Sequence, residues 1–197
     1  MFTGIIEALG RVESIADEGS GRIFWISSPI SHELKPDQSL SHNGACLTVE
    51  QVADQQHRVT AIDETLKKTN LGDWRVGDMV NLERCMQMNG RLDGHLVQGH
   101  IDTKGTCVEI IPKNGSTEYR FSYPLTFSSL IIEKGSVCIN GISLTCYDIT
   151  QNEFTAAIIP YTSAHTNMKD VKVNSTVNLE FDVIGKFIQR HLELKNS

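Results

Sequence analysis

Side chains able to do chemistry recur in this chain at a fixed spacing. Cys46, Thr48 and Thr65 are answered by Ser143, Thr145 and Thr162, each 143 − 46 = 97 residues further on. A hydroxyl kept twice and a small nucleophile or donor kept twice suit one kind of ligand bound at two related places. Taken singly, each would read as an ordinary strand threonine or a packed thiol; their joint recurrence points to a shared ligand. The mismatches carry information too. Ile5 is answered by His100, Cys85 by Asp182 and Asp37 by Lys134. Histidine is the side chain most easily poised for proton transfer near neutral pH. Two pockets that differ in this way could hold one molecule as nucleophile and its twin as electrophile. For Lys134 and Asp182 the plainer alternative is a solvated surface charge.

The spacing belongs to an internal duplication. Ser39–Thr48 and Ser136–Thr145 agree at five of ten positions. The fifteen residues from Thr69 and those from Thr166 agree at eight, again 97 apart. The twelve from Gly4 and from Gly99 agree at four, at an offset of 99 − 4 = 95, which Pro29 and Pro124 keep. Unrelated segments would share roughly one position in fifteen. Two homologous units of this size mean two domains rather than a solenoid.

The elements that must position these residues read as β. ACLTVEQV and ISLTCYDI are short alternating runs, and RVTAI, MVNLER, SVCI, FTAAII and TVNLEF follow the same pattern. Asn43-Gly44, Asn89-Gly90, Asn114-Gly115 and Asn140-Gly141 are turn signals. Many short strands at this spacing predict small barrels or sandwiches. SPISHEL, YPLTFSSLI and ETLKKTNL allow a turn or two of helix each. The tail DVIGKFIQRHLEL places Val183, Ile184, Phe187, Ile188 and Leu192 on one face of an amphipathic helix with no counterpart after the first unit. That helix either folds back on its barrel or makes a subunit contact.

Composition excludes several classes. The 197 residues are 40% hydrophobic and 21% charged, with a formal net charge of −6. This is a globular composition, and its acidity argues against a nucleic-acid partner. No apolar run reaches the roughly 20 residues that span a bilayer, and MFTGIIEALG does not read as a signal peptide, so a cytoplasmic, non-membrane protein is expected. Five cysteines without a CxxC make a poor disulfide framework and suit a reducing compartment. His95 and His100, five apart, share neither a helical nor a strand face, so no metal site is expected.

MFTGI at the start, HNGACLTV (42–49), ETLKKTNLG (64–72), GHLVQGH (94–100) and NGISLT (140–145) together resemble the riboflavin synthase family of the alpha-chain type. The resemblance runs from Met1 to about Asp182. It implies an all-β fold of tandem duplicated six-stranded Greek-key barrels with a C-terminal α-helix: an N-terminal lumazine-binding barrel over 1–88, a second over 89–182 and a trimerisation helix over 183–197. It implies dismutation of two 6,7-dimethyl-8-ribityllumazine molecules by four-carbon transfer, giving riboflavin and 5-amino-6-(D-ribitylamino)uracil, with no cofactor. It also implies a homotrimer whose active sites lie between the N-barrel of one subunit and the C-barrel of the next; lumazine synthase is a further candidate partner. A different class, the non-catalytic lumazine- or flavin-carrying antenna proteins of the same fold, is the alternative; they are expected to lose one pocket's polar set or the thiol, and here both sets persist.

Carried over residue by residue, the resemblance assigns an N-barrel pocket to Gly4, Ile5, Ile6, Cys46, Leu47 and Thr48 with the stretch Thr60, Ala61, Ile62, Asp63, Glu64 and Thr65. The C-barrel pocket takes Gly99, His100, Ile101, Ser143, Leu144 and Thr145 with Ala157, Ile158, Ile159, Pro160, Tyr161 and Thr162. Lys134 matches a lysine that reaches substrate across the subunit boundary. Phe2, Ser39, Cys46, His100, Ser143 and Asp182 match positions linked to catalysis, with His100 the leading candidate for the base. The chain departs from the family pattern at Asp93, where a glycine is frequent, and at Ala45, where many members carry a second cysteine.

Overall fold

The computed structural model describes residues 1–195. Its strands are β1 (Ala8–Glu18), β2 (Gly21–Ser27), β3 (Ser39–His42), β4 (Ala45–Ala53), β5 (Gln56–Ala61) and β6 (Met79–Arg84), then β7 (Thr103–Lys113), β8 (Ser116–Ser122), β9 (Ser136–Ile139), β10 (Ile142–Tyr147), β11 (Glu153–Ile158) and β12 (Thr176–Phe181). Each set of six closes into an antiparallel barrel with the same order, β1-β2-β5-β4-β3-β6 in the first half and β7-β8-β11-β10-β9-β12 in the second. The expected duplicated barrels are therefore present. The segment 85–102 joins them, and the expected boundary at 88/89 falls inside it.

Local chemistry explains the strand junctions. Asn43 and Gly44 have φ of 47° and 83°, and Asn140 and Gly141 have 47° and 82°. Two successive positive φ angles are what a two-residue hairpin turn with the right twist needs, and Asn-Gly adopts them at least cost. Gly115 closes the β7–β8 hairpin with a φ of 93°. Asn89-Gly90, expected to be a strand turn, instead lies in the linking segment, with Gly90 N–H donating to the Gln87 carbonyl. SPISHEL and YPLTFSSLI form 3-10 turns at Ser31–Glu33 and Leu125–Leu130. ETLKKTNL forms α1 (Asp63–Lys68) and a following 3-10 turn. Its unexpected repeat partner is α2 (Pro160–His165), which opens on a proline suited to the first helical turn. The tail forms α3 (Val183–Lys195), capped at its start by Asp182, whose Oδ1 accepts from the Ile184 N–H at 2.9 Å. Of the expected helix, residues 196–197 lie outside the described residues.

A polar clasp on a pseudo-two-fold axis joins the barrels. Asn81 Nδ2 donates to the Asn140 carbonyl at 2.9 Å, and its counterpart Asn178 Nδ2 donates to the Asn43 carbonyl at 2.9 Å. The Asn167 N–H donates to Asn81 Oδ1 at 2.7 Å, and the Asn70 N–H to Asn178 Oδ1 at 2.6 Å. All six asparagines are buried. At the axis, a Cβ on Gly44 would stand 2.9 Å from the Gly141 nitrogen, and one on Gly141 would stand 2.8 Å from the Gly44 nitrogen. Only glycine permits that approach.

Candidate active site

The period-2 alternation of strands decides which side chains can meet a ligand. In β4, Ala45, Leu47 and Val49 enter the barrel core, while half-buried Cys46 and exposed Thr48 point outward. In β10, Ile142 and Cys146 are buried and Leu144 packs against that core, while Ser143 and Thr145 point outward. The paired polar residues thus sit on the outer faces of the barrels. Each is flanked by an outward serine of the adjoining strand: Ser39 pairs with Thr48 and Ser136 with Thr145. Ser39 hydrogen-bonds the Cys46 thiol, and the exposed Cys85 thiol contacts the Ser39 carbonyl at 3.5 Å. Burial pushes the Cys46 pKa up, the Ser39 bond opposing it, so this side chain is a neutral thiol at physiological pH rather than a ready thiolate.

The segments leading into each barrel are exchanged, which corrects the expected grouping of the pockets. Gly4-Ile5-Ile6 does not lie against Cys46. The Ser143 N–H donates to the Gly4 carbonyl at 2.8 Å, and a Cβ on Gly4 would stand 2.6 Å from Ser143 Cβ. Ile6 packs on the core of the second barrel. Reciprocally, the Cys46 N–H donates to the Gly99 carbonyl at 2.9 Å, a Cβ on Gly99 would stand 2.6 Å from Cys46 Cβ, and Ile101 packs on the first barrel. The N-half thiol therefore sits with Gly99-His100-Ile101, and the C-half hydroxyl with Gly4-Ile5-Ile6. Both glycines have positive φ, 79° and 83°.

Two buried carboxylates, absent from the sequence-based candidates, hold these lead-ins. Glu83 accepts from the N–H of Thr3 at 2.7 Å and of Gly4 at 3.0 Å, and from the Thr3 hydroxyl at 2.7 Å. Glu180 accepts from the N–H of Gln98, Gly99 and His100 at 2.6, 2.9 and 3.0 Å. Burial raises the pKa of both, and the backbone N–H groups pull the other way. Each carboxylate belongs to one barrel and fixes a loop that braces the other barrel's strand, the one carrying Ser143 or Cys46. The signal was in the repeat, since both close the matching TVNLE and MVNLE runs. A third missed residue is His95, whose Nδ1 lies 2.6 Å from Ser143 Oγ.

The remaining expected residues fall into three groups. Phe2 is fully buried, pairs with Val97 through a backbone bridge and packs with Val97, Cys138 and Cys46. Leu47, Ala61 and Ile158 are core residues, so only their backbones could meet a ligand. Ile62, Glu64, Ala157, Ile159, Pro160, Tyr161, His100 and Lys134 are exposed, and Thr60, Asp63, Thr65 and Thr162 are half-buried. The Lys134 ammonium sits 4.9 Å from the Tyr147 ring centroid. A cleft of about 590 Å³ at the first barrel takes in Ile5, Ser39, Glu83 and Cys85. One of about 460 Å³ between the second barrel and α3 takes in Ser136, Asp182, Ile184 and Ile188.

The duplication is also what comparison with known proteins returns. A family model described as the lumazine binding domain matches twice, over residues 3–85 and 98–182. A riboflavin synthase of Actinobacillus pleuropneumoniae is 42% identical over 98% of this chain and 90% of its own. The chain belongs to the riboflavin synthase family. The riboflavin synthase of Bacillus subtilis (strain 168) is 36% identical across 100% of this chain and 92% of its own. The crystal structure of LumP complexed with riboflavin superposes with a TM-score of 0.85, covering 92% of this chain and 99% of that one at 24% identity, a likeness of fold. Among the described residues no group of histidine, cysteine or carboxylate side chains could hold a metal ion, and no helix is long and apolar enough to cross a membrane.

Proposed function

We propose that this chain is a riboflavin synthase that binds two 6,7-dimethyl-8-ribityllumazine molecules and moves a four-carbon unit from one to the other. The products are riboflavin and 5-amino-6-(D-ribitylamino)uracil. The observation that carries this reading is the pair of intact polar sets, Ser39-Cys46-Thr48 and Ser136-Ser143-Thr145, each on the outer face of its own barrel. The lumazine ring is electron-poor, and its 7-methyl group is acidic because the carbanion delocalises into the ring. Holding two such flat molecules face to face supplies most of what the reaction needs. Thr48, Thr65, Thr145 and Thr162 supply hydroxyls to the ring and ribityl chain. Cys46, as a neutral thiol, donates a hydrogen bond or places a water for addition at C7 of the acceptor. His100, held by its backbone on Glu180 and exposed, takes the methyl proton.

The finer assembly follows the same reading. Ile184, Phe187, Ile188, Leu192 and Leu194 are more than half exposed on α3, which supports a trimer built on this helix with each active site shared between the N-barrel of one subunit and the C-barrel of the next. Lys134 then reaches substrate across that boundary. A cytoplasmic location and association with lumazine synthase complete the proposal.

The test is conversion of the lumazine alone, with a chelator present. Riboflavin and the ribitylaminouracil in equal amounts support the reading; tight binding of ligand without turnover would instead assign a carrier. Mixed refolding of Cys46→Ala and Ser143→Ala chains tests the shared site. Recovery of activity is expected, and well-folded mixed oligomers without recovery would place the site within one subunit. Deleting residues 184–197 should leave folded barrels that sediment as smaller species; a persisting trimer would remove the helix from the assembly.

A further inference from the structure

His95 lies on the segment 85–102 and is buried, with 8% of its surface exposed. Its Nδ1 makes a 2.6 Å hydrogen bond to Ser143 Oγ, and its Nε2 is buried with no hydrogen-bond partner. An unpaired buried polar atom is costly, and native structures keep such atoms rarely and with reason. The backbone here is fixed tightly. The His95 N–H donates to the Thr3 carbonyl at 3.1 Å. A Cβ on neighbouring Gly94 would run into the Thr3 oxygen and stand 2.9 Å from Ser143 Cβ, so glycine lets this backbone lie against both. The half-buried Asp182 acts on the ring by charge. In the first barrel Cys46 is backed instead by Ser39 and by Phe2.

We propose that His95 is a positioning residue for the second barrel's site: its Nδ1 fixes the rotamer and proton of the Ser143 hydroxyl, so that this hydroxyl presents to bound lumazine a directed group that the Cys46 thiol of the first barrel does not match. The inference rests on the synthase reading of the site. It makes the two pockets unlike in their hydroxyl chemistry as well as in His100. The neutral ring accepts the Ser143 O–H, leaving the oxygen's lone pairs for a donor on the ligand; with the proton on Nδ1 the sense reverses and the hydroxyl donates to the ligand instead.

The experiment compares His95→Leu, His95→Asn, Ser143→Ala and the double variant His95→Leu/Ser143→Ala in the full chain. Positioned proton-transfer groups contribute about 10²–10⁴-fold, and a group acting through one of them contributes part of that. His95→Leu is expected to lower kcat about tenfold or more with KM little changed. Asn, whose side-chain amide reaches the place of Nδ1, should restore most of it. The double variant should be no worse than Ser143→Ala alone, since residues acting as a unit do not add. Additive losses, a His95→Leu variant with wild-type kcat, or a failure of Asn to rescue in a folded protein would overturn the proposal. A readout independent of turnover is nitrogen NMR of the His95 ring, whose Nδ1 resonance should move in Ser143→Ala; an unmoved resonance would also overturn it. Absence of riboflavin formation by the wild-type chain would count against the proposed function alone, the ring signal still deciding the His95–Ser143 bond.

Discussion

The two barrels share strand order, turn chemistry and clasp, but their interiors are held by different forces. In the first, His42 and His57 run a buried polar string: His42 Nδ1 donates to the Leu40 carbonyl at 3.0 Å, and His57 Nε2 donates to His42 Nε2 at 2.9 Å. Ser31 donates to His57 Nδ1 at 2.8 Å, and Ser28 to Ser31 at 2.8 Å. The Leu40 oxygen can only accept, and with both rings kept neutral by burial each proton along the string is assigned. In the second barrel the same positions are Ile139 and Phe154, and Tyr123 stands where Ser28 does. There the Phe154 ring centroid lies 5.7 Å from Phe121 and 5.8 Å from Tyr123. One architecture accepts either filling because the backbone ladder is closed in both; the interior has only to be filled and satisfied. The difference is in what pH can reach. Burial holds His57 down to about 4 and His42 well below its ordinary range.

The largest effect tests where the halves should agree. Gly4→Ala and Gly99→Ala each force a side chain into positive φ and against Ser143 or Cys46 of the opposite barrel. Left-handed strain and overpacking together should cost about 2–5 kcal/mol in each case, read as a denaturant midpoint. Loss in only one of the two would break the symmetry of the exchanged lead-ins. Next come Glu83→Gln and Glu180→Gln, which replace an accepting oxygen with an NH₂ group facing backbone N–H donors. A loss of about 2–3 kcal/mol is expected for each, and for Glu180→Gln a fall in turnover through displacement of His100. Unchanged stability would mean the carboxylates do not hold the loops.

Acid should then separate the halves. Between about pH 6.5 and 4 the unfolded chain takes up protons that the folded first barrel refuses, so stability is complete above that window and falls as pH drops through it. By pH 5 each of the two histidines should contribute a loss on the order of 2 kcal/mol. Hydrogen exchange should show β4 and β5 opening more readily at pH 5 than at pH 7 while β10 and β11 change less. The paired change His42→Ile/His57→Phe, which copies the second barrel, should flatten the dependence; equal acid sensitivity in both barrels would refute the comparison. The smallest effect lies on the surface. Lys67 pairs with Asp63 and Lys68 with Glu64 on α1, where α2 has Ala164 and His165 against Pro160 and Tyr161. Lys67→Ala should cost no more than about 0.5 kcal/mol, seen as a small midpoint shift at low salt that disappears at high salt.

Much of this molecule could be read from the chain by itself, and the reasons differ by feature. Strands and Asn-Gly turns declare themselves locally, because alternation and positive φ are properties of a few adjacent residues. The duplication declares itself through spacing, and with it Cys46/Ser143, Thr48/Thr145 and the differing Cys85/Asp182. The exchange of Gly4 and Gly99 between barrels leaves no local mark, since it consists of bonds between segments far apart in sequence. His95 is just as hidden, because its bond to Ser143 joins residues 48 apart in sequence. Glu83 and Glu180 were visible as an identity, but a carboxylate closing an apolar strand normally faces water; only the closed barrel and the returning loop turn it inward.

The asparagine clasp has a historical consequence. A junction whose two sides are built from the same residues about a two-fold axis has no left or right, and it is the kind of contact two identical chains make with each other. A gene for one half would already encode both faces of that contact: the Asn-Gly hairpin, the bridging amide of β6 and the capping amide after α1. Tandem fusion of two such genes would need no new junction, because the linking segment only tethers partners already matched. Once covalently joined, the copies were free to diverge at Cys46 and Ser143, at Ile5 and His100, and in their interiors, without risk to the way they fit together.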